Sequence, residues 1–222
     1  MPVSQGRGRE TVERLIAAAE KVLERDGLEG ATVPAIAAEA RVSVGNVYKR
    51  FPDKDALLRV VYERFFTEAL AANQFALDPA KWEGVTTSEV LVTLVAGMLE
   101  GYRGRRSLIR ALLLYSQTHS DPEFRATAAG LRLGMLELFE SLLRHRRQDI
   151  GHPHPERAIR FVVQLIGNAF ENAVVSEGSA GRAGGGLLSP SPETASELAR
   201  ILIGYLRVRG TERPRSLSQS RR

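Results

Sequence analysis

The feature that most constrains this chain is the stretch over residues 32–51, TVPAIAAEARVSVGNVYKRF, in which two short helices joined by a tight turn are predicted. Thr32 is a suitable N-cap for the first helix, and Pro34 lies in its first turn, where a missing N–H costs little. Ser43 is placed to cap a second helix over residues 44–50. Helices of two turns are not stable alone in water, so both must pack against the rest of the chain. The pattern predicts a helix-turn-helix, whose second helix enters the major groove of DNA.

The segments on either side of this stretch are suited to supply that packing. Upstream, residues 11–26 carry apolar side chains at helical spacing, and Gly27 is expected to end this helix. Downstream, Asp53 is a suitable N-cap for another helix, whose apolar face continues to about Ala72. Residues 1–10 are polar and are expected to form a flexible arm. This arm is either a disordered terminus or a segment that reaches the phosphates or the minor groove of DNA.

Together these segments resemble the N-terminal DNA-binding domain of TetR-family transcriptional regulators. The residues that carry the resemblance are Gly27, Thr32, Ile36, Ala37, Val42, Ser43, Val47, Tyr48, Phe51, Lys54, Leu57 and Leu58. The family usually has glycine in the turn where this chain has Arg41. If that position needs a positive φ, arginine costs about 1 kcal/mol relative to glycine, which a packed domain can absorb.

The remaining two-thirds of the chain is predicted to be helical, with no strand-like alternation. Helices are expected over residues 88–102, 105–119, 121–148, 155–176 and 193–208, with an irregular connection over residues 74–87. The resemblance therefore implies an all-α fold, with an N-terminal three-helix helix-turn-helix domain and a larger helical domain for ligand binding and dimerisation. The predicted divisions are a flexible arm (1–10), the helix-turn-helix domain (11–55), the effector-binding and dimerisation domain (56–209) and a disordered basic tail (210–222).

Composition limits the function classes that remain. The chain has no cysteine, which excludes disulfides, thiolate nucleophiles and thiolate metal sites. His145, His152 and His154 lie around a proline-containing turn, which fits a solvated loop better than a metal site, so neither a metal nor a cofactor is expected. No apolar run reaches the length of a membrane span and the N-terminus lacks a secretory pattern, so a cytoplasmic location is expected.

Net charge does not by itself indicate DNA binding. The formal charge is +5, but residues 207–222 hold six arginines and one acid, and this segment accounts for the whole excess. A prediction of DNA binding must therefore rest on where individual side chains are placed.

In the second short helix, Val47 is expected on the core side and most of the remaining side chains on the groove side. Asn46 suits an adenine edge, Lys49 a guanine or a phosphate, and Val44 a thymine methyl. The residues predicted to contact DNA are Thr32, Val33, Ser43, Val44, Gly45, Asn46, Tyr48, Lys49, Arg50 and Lys54. The alternative is that they are solvated polar residues on a small helical subdomain.

A single unit of this kind makes few base contacts, so a homodimer on a palindromic double-stranded operator is expected. The resemblance implies that the last two long helices build the dimer. The residues predicted for this interface are Phe161, Leu165, Asn168, Phe170, Leu198, Ile201 and Tyr205, with internal core packing as the alternative for each apolar member. Gln164, Asn168 and Asn172 form a polar row on the first of these helices, for which a solvent face and hydrogen bonding are both open.

The resemblance also implies an effector pocket between the helices of the body. The candidates for lining it are Trp82, Met98, Tyr102, Tyr115, His119, Phe124, Met135 and Phe139, with core packing as the alternative. Because charged residues are scarce on these faces, a small apolar or aromatic effector is predicted.

The sequence therefore predicts a ligand-responsive transcriptional regulator that is not an enzyme, and repression is the commonest role in the family that it resembles. One rival is a helical enzyme or small-molecule-binding protein without a DNA role, although no Gly-x-Ser-x-Gly elbow and no marked pair of acids supports catalysis. A second rival is a constitutive DNA-binding protein that has no effector.

Overall fold

The structure is a computed structural model that describes residues 3–176 and 191–209. Over these ranges the chain is helical and has no strand, so the predicted all-α fold is confirmed. The helices are α1 (Val3–Gly30), α2 (Val33–Glu39), α3 (Val44–Tyr48), α4 (Lys54–Ala76), α5 (Thr87–Gly104), α6 (Arg106–Thr118), α7 (Pro122–His145), α8 (Pro155–Ser176) and α9 (Pro192–Leu206), with short helical turns at Pro79–Trp82 and Arg147–Asp149. The predicted tail over 210–222 lies outside the described residues.

Helix α1 differs from its prediction at its start. It begins at Val3 rather than at residue 11, so residues 3–10 continue a helix and do not form the predicted arm. No proline interrupts this segment, which leaves the helix free to extend beyond its buried stripe. Gly27 has φ 69° and ψ −171°, so the predicted break is confirmed, and one further turn reaches Gly30.

A first hydrophobic core joins the helix-turn-helix to the body. In the stripe of α1, Leu15, Val22 and Leu23 are fully buried, and they belong to the same cluster as Ile36 of α2 and Leu112 of α6. The boundary predicted between residues 55 and 56 falls inside α4, which crosses it as one continuous helix. The head formed by α1, α2, α3 and the start of α4 is therefore packed directly on the body.

A second core lies among α5, the end of α7, α8 and α9. Its buried side chains include Leu91, Leu143, Ile159 and Leu202. Beyond α9 the chain pairs with the α7–α8 connection through an isolated bridge between Ile150 and Val208. Taken over the described residues, no helix is both long enough and apolar enough to cross a membrane.

Candidate nucleic-acid interface

The turn between α2 and α3 is built from local backbone hydrogen bonds. Thr32 caps α2, because its Oγ1 accepts a hydrogen bond from the Ala35 N–H at 3.3 Å. At the other end, the Val42 N–H donates to the Ala37 carbonyl at 3.0 Å and the Arg41 N–H donates to the Ala38 carbonyl at 3.1 Å. This is the Schellman pattern, whose C′ residue takes the left-handed conformation.

Arg41 occupies that C′ position with φ 56°, so the positive φ considered for it is present. A left-handed conformation is uncommon for a residue with a Cβ, and glycine adopts it without this cost. The turn therefore retains the geometry of a glycine turn although its central side chain is arginine.

Helix α3 is short and firmly anchored. Ser43 Oγ accepts a hydrogen bond from the Asn46 N–H at 3.2 Å and caps the helix. Val47 and Phe51 are buried in the first core. The helix ends at Tyr48, so Lys49 is its C-cap and Arg50 follows it, whereas the sequence predicted a helix to residue 50.

The opposite side of α3 is exposed. Val44 is 38% exposed and Tyr48 is 52% exposed, and Ser43, Lys49 and Arg50 are exposed with them. Between residues 40 and 52 the charged side chains are Arg41, Lys49 and Arg50, with no acid. Among the side chains that the structure describes, Lys49 and Arg50 have no ion-pair partner. Gly45 lies between the N-cap Ser43 and these two basic residues, and a Cβ at this position would meet no atom within 4 Å.

Two predicted contact residues have other roles in the structure. The Val33 side chain is only 7% exposed and packs in the first core, so the DNA contact predicted for this residue falls to its backbone at the start of α2. Lys54 is half-buried, and its Nζ donates to the Leu28 carbonyl at 3.3 Å. Lys54 therefore ties the start of α4 to the segment that follows Gly27. Thr32 remains exposed beside its own cap bond.

The extended α1 contributes to the same end of the molecule. Gly8 lies close to Arg50, since a Cβ on Gly8 would be 3.9 Å from Arg50 Nη2. Arg9, Val12 and Glu13 line the shallow groove between them. No local pattern in the sequence predicts this groove, because its two sides are separated by about forty residues.

The first turn of α4, immediately after the helix-turn-helix, is held by the body. Asp55 Oδ1 accepts hydrogen bonds from Tyr115 Oη at 2.7 Å and His119 Nε2 at 2.7 Å, and Asp55 Oδ2 pairs with Arg59 Nε at 2.7 Å. Burial alone raises the pKa of Asp55, but the hydrogen bonds from Tyr115, Arg59 and His119 outweigh it and lower that pKa to about 2. Burial, followed by the contact with Asp55, raises the pKa of the Tyr115 phenol.

The predicted pocket residues do not converge on one cavity. Tyr115, His119 and Phe124 pack as an aromatic cluster, with ring centroids 4.7 to 5.3 Å apart. Tyr102 is buried in the first core and Met135 packs against that core, whereas Met98 and Phe139 pack against the second. Trp82 lies on the α4–α5 connection, where its Nε1 donates to the Ala76 carbonyl at 2.9 Å. Core packing, the alternative considered for these residues, accounts for most of the eight, and their role in an effector pocket stays a prediction.

A polar cluster inside the body was missed by the sequence analysis. Arg132 of α7 donates to Tyr62 Oη of α4 at 2.8 Å and to Ser116 Oγ of α6 at 3.3 Å. Its Nε pairs with Glu171 of α8 at 2.9 Å. Burial raises the pKa of Tyr62, while Arg132 acts in the opposite direction. Four helices thus meet at one arginine, and the prediction that charged residues are scarce here is wrong at this point.

The predicted dimer residues fall into two groups. Phe161 and Leu165 of α8 are 52% and 48% exposed, and Ile201 and Tyr205 of α9 are 57% and 39% exposed. The Phe161 and Tyr205 rings lie 5.4 Å apart, which joins the two helices into one face. In contrast, Phe170 packs on Tyr102 at 5.2 Å and Leu198 packs against the second core, so the internal alternative holds for these two. Gln164 and Asn168 are exposed on α8, and the Asn172 side chain lies outside the described residues.

The histidines form no metal site in the described residues. The His152 and His154 ring centroids are 6.4 Å apart, and His152 Nδ1 accepts a hydrogen bond from the His154 N–H. The His152 ring also stacks on Tyr205 at 5.2 Å. No group of three or more potential ligands for a metal is found in the part of the chain that the structure describes.

The N-terminal region matches a known family. Residues 15–61 match the model described as bacterial regulatory proteins, tetR family. These residues hold the buried stripe of α1, the whole helix-turn-helix and the first turns of α4. The resemblance predicted from the sequence is confirmed for this region. None of the curated proteins matches the chain in sequence.

Solved structures resemble the chain over most of its length. A TetR-family regulator from Mesorhizobium loti shares 18% identity at TM-score 0.67, over 89% of this chain and 97% of that one. FadR from Bacillus subtilis, in complex with stearoyl-CoA, shares 18% identity at TM-score 0.64, over 87% and 98%. FadR from Thermus thermophilus, a repressor in complex with lauroyl-CoA, shares 22% identity at TM-score 0.58, over 91% and 98%. These likenesses show a shared fold for the head and the body together.

Proposed function

We propose that this chain, whose N-terminal region matches the tetR family, is a dimeric transcriptional repressor that binds a palindromic operator and releases it when a small effector binds. The observation that carries the proposal is the exposed side of α3. It combines short polar side chains with Lys49 and Arg50, has no acid, and is anchored from behind by Val47 and Phe51. A polyanionic duplex is the partner that such a surface fits.

The contacts are assigned by side-chain chemistry. Val44 suits a thymine methyl and Asn46 an adenine edge, and both lie in the first turn of α3. Tyr48, Lys49 and Arg50, at and beyond the end of α3, suit phosphate or guanine. Arg9 of α1 lines the same groove as Arg50 and could add a phosphate contact there, although Glu13 lines this groove too.

The dimer is proposed to form through the face of α8 and α9. Phe161, Leu165, Ile201 and Tyr205 present four large apolar side chains on one side of the body, and exposed apolar surface of this kind marks interaction sites. A twofold contact places the same surface of each copy against the other. Two heads are then held at a fixed separation, as a palindromic site requires.

The effector is proposed to bind within the body and to favour one spacing of the heads over another. A ligand shifts such an equilibrium only by its difference in affinity for the two states. Two structural neighbours hold stearoyl-CoA and lauroyl-CoA, so these acyl-CoA esters are the first probes for this chain. The fatty acids without the CoA moiety serve as matched controls.

Selection from a random duplex pool tests the DNA-binding step. The purified full chain is expected to enrich an inverted repeat, and Lys49→Ala is expected to weaken binding to it by about tenfold. Lys81→Ala is the matched control, since Lys81 is an exposed lysine on the α4–α5 connection. Recovery of no preferred duplex, or equal losses for both variants, would overturn the proposal.

Release by ligand tests the regulatory step. A duplex recovered in the selection is titrated with lauroyl-CoA and stearoyl-CoA, and release is followed by fluorescence anisotropy. Release by an acyl-CoA but not by its free acid would identify the effector class. If neither these esters nor a broader set of apolar ligands releases the duplex, the chain is a constitutive DNA-binding protein.

A further inference from the structure

We infer that α6 fixes the orientation of the DNA-reading head through two polar latches, one at each of its ends. The N-terminal latch consists of Glu20, Glu24 and the first turn of α6, and the C-terminal latch consists of Asp55, Tyr115 and His119. Glu24 and Tyr115 are positioning residues, which act on DNA only through the placement of α3. The inference rests on the proposed function, because it explains how two heads keep one spacing.

The N-terminal latch replaces a missing helix cap. Arg105, the N-cap of α6, has φ −137°, and its side chain makes no capping hydrogen bond to the helix. Glu24 of α1 supplies it instead, because its Oε2 accepts a hydrogen bond from the Leu108 N–H at 2.8 Å. Glu20, one turn earlier on α1, pairs with Arg105 Nη2 at 2.6 Å. Two carboxylates of the head therefore lie at the positive end of a body helix, where negative charge is favoured.

In the C-terminal latch, as in the first, groups of the body donate to a carboxylate of the head. Tyr115 Oη and His119 Nε2, both at the end of α6, each lie 2.7 Å from Asp55 Oδ1 in the first turn of α4. His119 Nδ1 accepts from the Asp121 N–H at 3.0 Å, so the ring proton is on Nε2 and points at Asp55. Arg59 bridges Asp55 to Asp121 Oδ2 at 2.6 Å and closes the cluster.

These contacts fix the angle between α6 and the head, which apolar packing alone leaves adjustable. Between the latches, Leu108, Ala111 and Leu112 bury the face of α6 in the first core, and burial of this kind is non-directional. Hydrogen bonds are directional, and two sets at opposite ends of one helix prevent both sliding and rocking. Asp55 follows the recognition helix within one short turn, so its position governs that of α3.

The same helix is also tied to the interior of the body. Ser116, between the two C-terminal latch residues of α6, accepts a hydrogen bond from Arg132, which pairs with Glu171 of α8. A movement of α7 at Arg132 would therefore reach α6 through Ser116. Because the latches tie both ends of α6 to the head, a displacement of α6 would change the position of the head.

Spacing preference is the property that tests this role. Operators with the selected half-sites are prepared with the centre shortened or lengthened by one or two base pairs, and the dissociation constant is measured on each. Glu24→Ala and Tyr115→Phe remove latch contacts, Glu24→Gln retains an acceptor for the Leu108 N–H, and Glu140→Ala removes a comparable ion pair within α7 alone. The base preference within each half-site is measured in parallel.

The two latch variants are expected to weaken binding at the best spacing by about fivefold or more and to discriminate less among spacings, with unchanged base preference. Glu24→Gln is expected to restore most of the discrimination, and Glu140→Ala to match the unaltered chain. Folded variants with an unaltered spacing profile would overturn the inference. So would a loss that is equal for Glu140→Ala, since this would indicate a general effect on stability.

Amide hydrogen exchange tests the latches without DNA. Tyr115→Phe is expected to increase exchange over the first turn of α4 and in α3, and Glu24→Ala to increase it at the first turn of α6 and in α1. Increased exchange together with no sequence-specific DNA binding would disprove the proposed function and leave the mechanical coupling standing. Unchanged exchange in the head would disprove the coupling, whatever the DNA result.

Discussion

The exposed sides of α3 and of the α8–α9 pair are both anchored on buried residues, but their chemistry is opposite. On α3, Val47 is buried, and the outward side carries Ser43, Lys49 and Arg50. On α8, Val162 is buried, and the outward side carries Phe161. The first surface suits a charged partner that remains wet, and the second suits a partner that excludes water. One chain thus presents one face for a polyanion and one for another apolar surface.

This difference in chemistry suggests different roles for the two faces, one in choosing the DNA sequence and one in setting the distance between two heads. Contacts made by the α3 side would determine which sequence is bound, whereas contacts made by the α8–α9 side would determine how far apart two α3 helices are held. If this division is correct, changes on the two faces produce different kinds of loss.

The largest effect is expected from charge placed on the apolar face. The double variant Leu165→Glu, Ile201→Glu would bury unpaired carboxylates in the proposed contact, each costing several kcal/mol. Sedimentation equilibrium is expected to show a dimer for the unaltered chain and a monomer for the variant, with operator affinity reduced by about a hundredfold or more. Leu133→Glu is the matched control, because Leu133 is similarly exposed on α7. A variant that remains dimeric would place the contact elsewhere.

A smaller loss is expected from Asn46→Ala on the polar face. Loss of a bidentate contact to adenine costs about 1–3 kcal/mol and relaxes preference at one position of each half-site. Binding to operators substituted at single positions measures this directly, with Gln148→Ala as an exposed amide control. A uniform loss at all positions would assign Asn46 to the DNA backbone rather than to a base.

A gain in stability is expected at the turn that presents α3. Arg41 is left-handed with φ 56°, so Arg41→Gly should raise the free energy of unfolding by about 1 kcal/mol. Arg41→Ala keeps the strain and removes the charge, and should show no such gain. Urea denaturation measures both variants. Equal stability of the two would show that the left-handed backbone is not the source of the cost.

The smallest effect is expected from acid titration of Asp55. Its pKa is about 2 in the folded chain and 3.8 as an ordinary value, so its contribution is present above pH 3.8 and is lost as the pH falls towards 2. Because this carboxylate is 42% exposed, solvent screening limits the effect to no more than about 1 kcal/mol. Asp55→Asn should lose less stability than the unaltered chain over this pH range. Parallel stability curves would contradict the prediction.

Much of the head could be predicted because its signals are local. The caps Thr32, Ser43 and Asp53 and the break at Gly27 each act within a few residues, and the structure contains all four. For Arg41 the sequence left the conformation open, and the glycine usual in the resembled family raised the question of the positive φ that the structure has. These features depend on backbone hydrogen bonds between near neighbours, which sequence spacing determines directly.

The supports of the head could not be predicted, because they join distant parts of the chain. Glu24 and the Leu108 N–H are 84 residues apart, and nothing in either segment marks the pairing. Residue type alone also cannot distinguish a core side chain from one that lines a cavity. Tyr115 and Phe124 were predicted to line a pocket, and in the structure their rings pack together. The burial of Val33 and the bond from Lys54 to Leu28 could not be predicted for the same reason, since both depend on the surrounding helices.

The most direct test of the account is the salt dependence of binding to the selected operator. The dissociation constant is measured across a salt series for the unaltered chain and Lys49→Ala, with a scrambled duplex as control. We expect a steep linear rise of log Kd with log salt on the operator, a slope lowered by about one for Lys49→Ala, and much weaker binding to the scrambled duplex. Affinity that is indifferent to salt, or equal for the two duplexes, would contradict the claim that the α3 surface reads DNA.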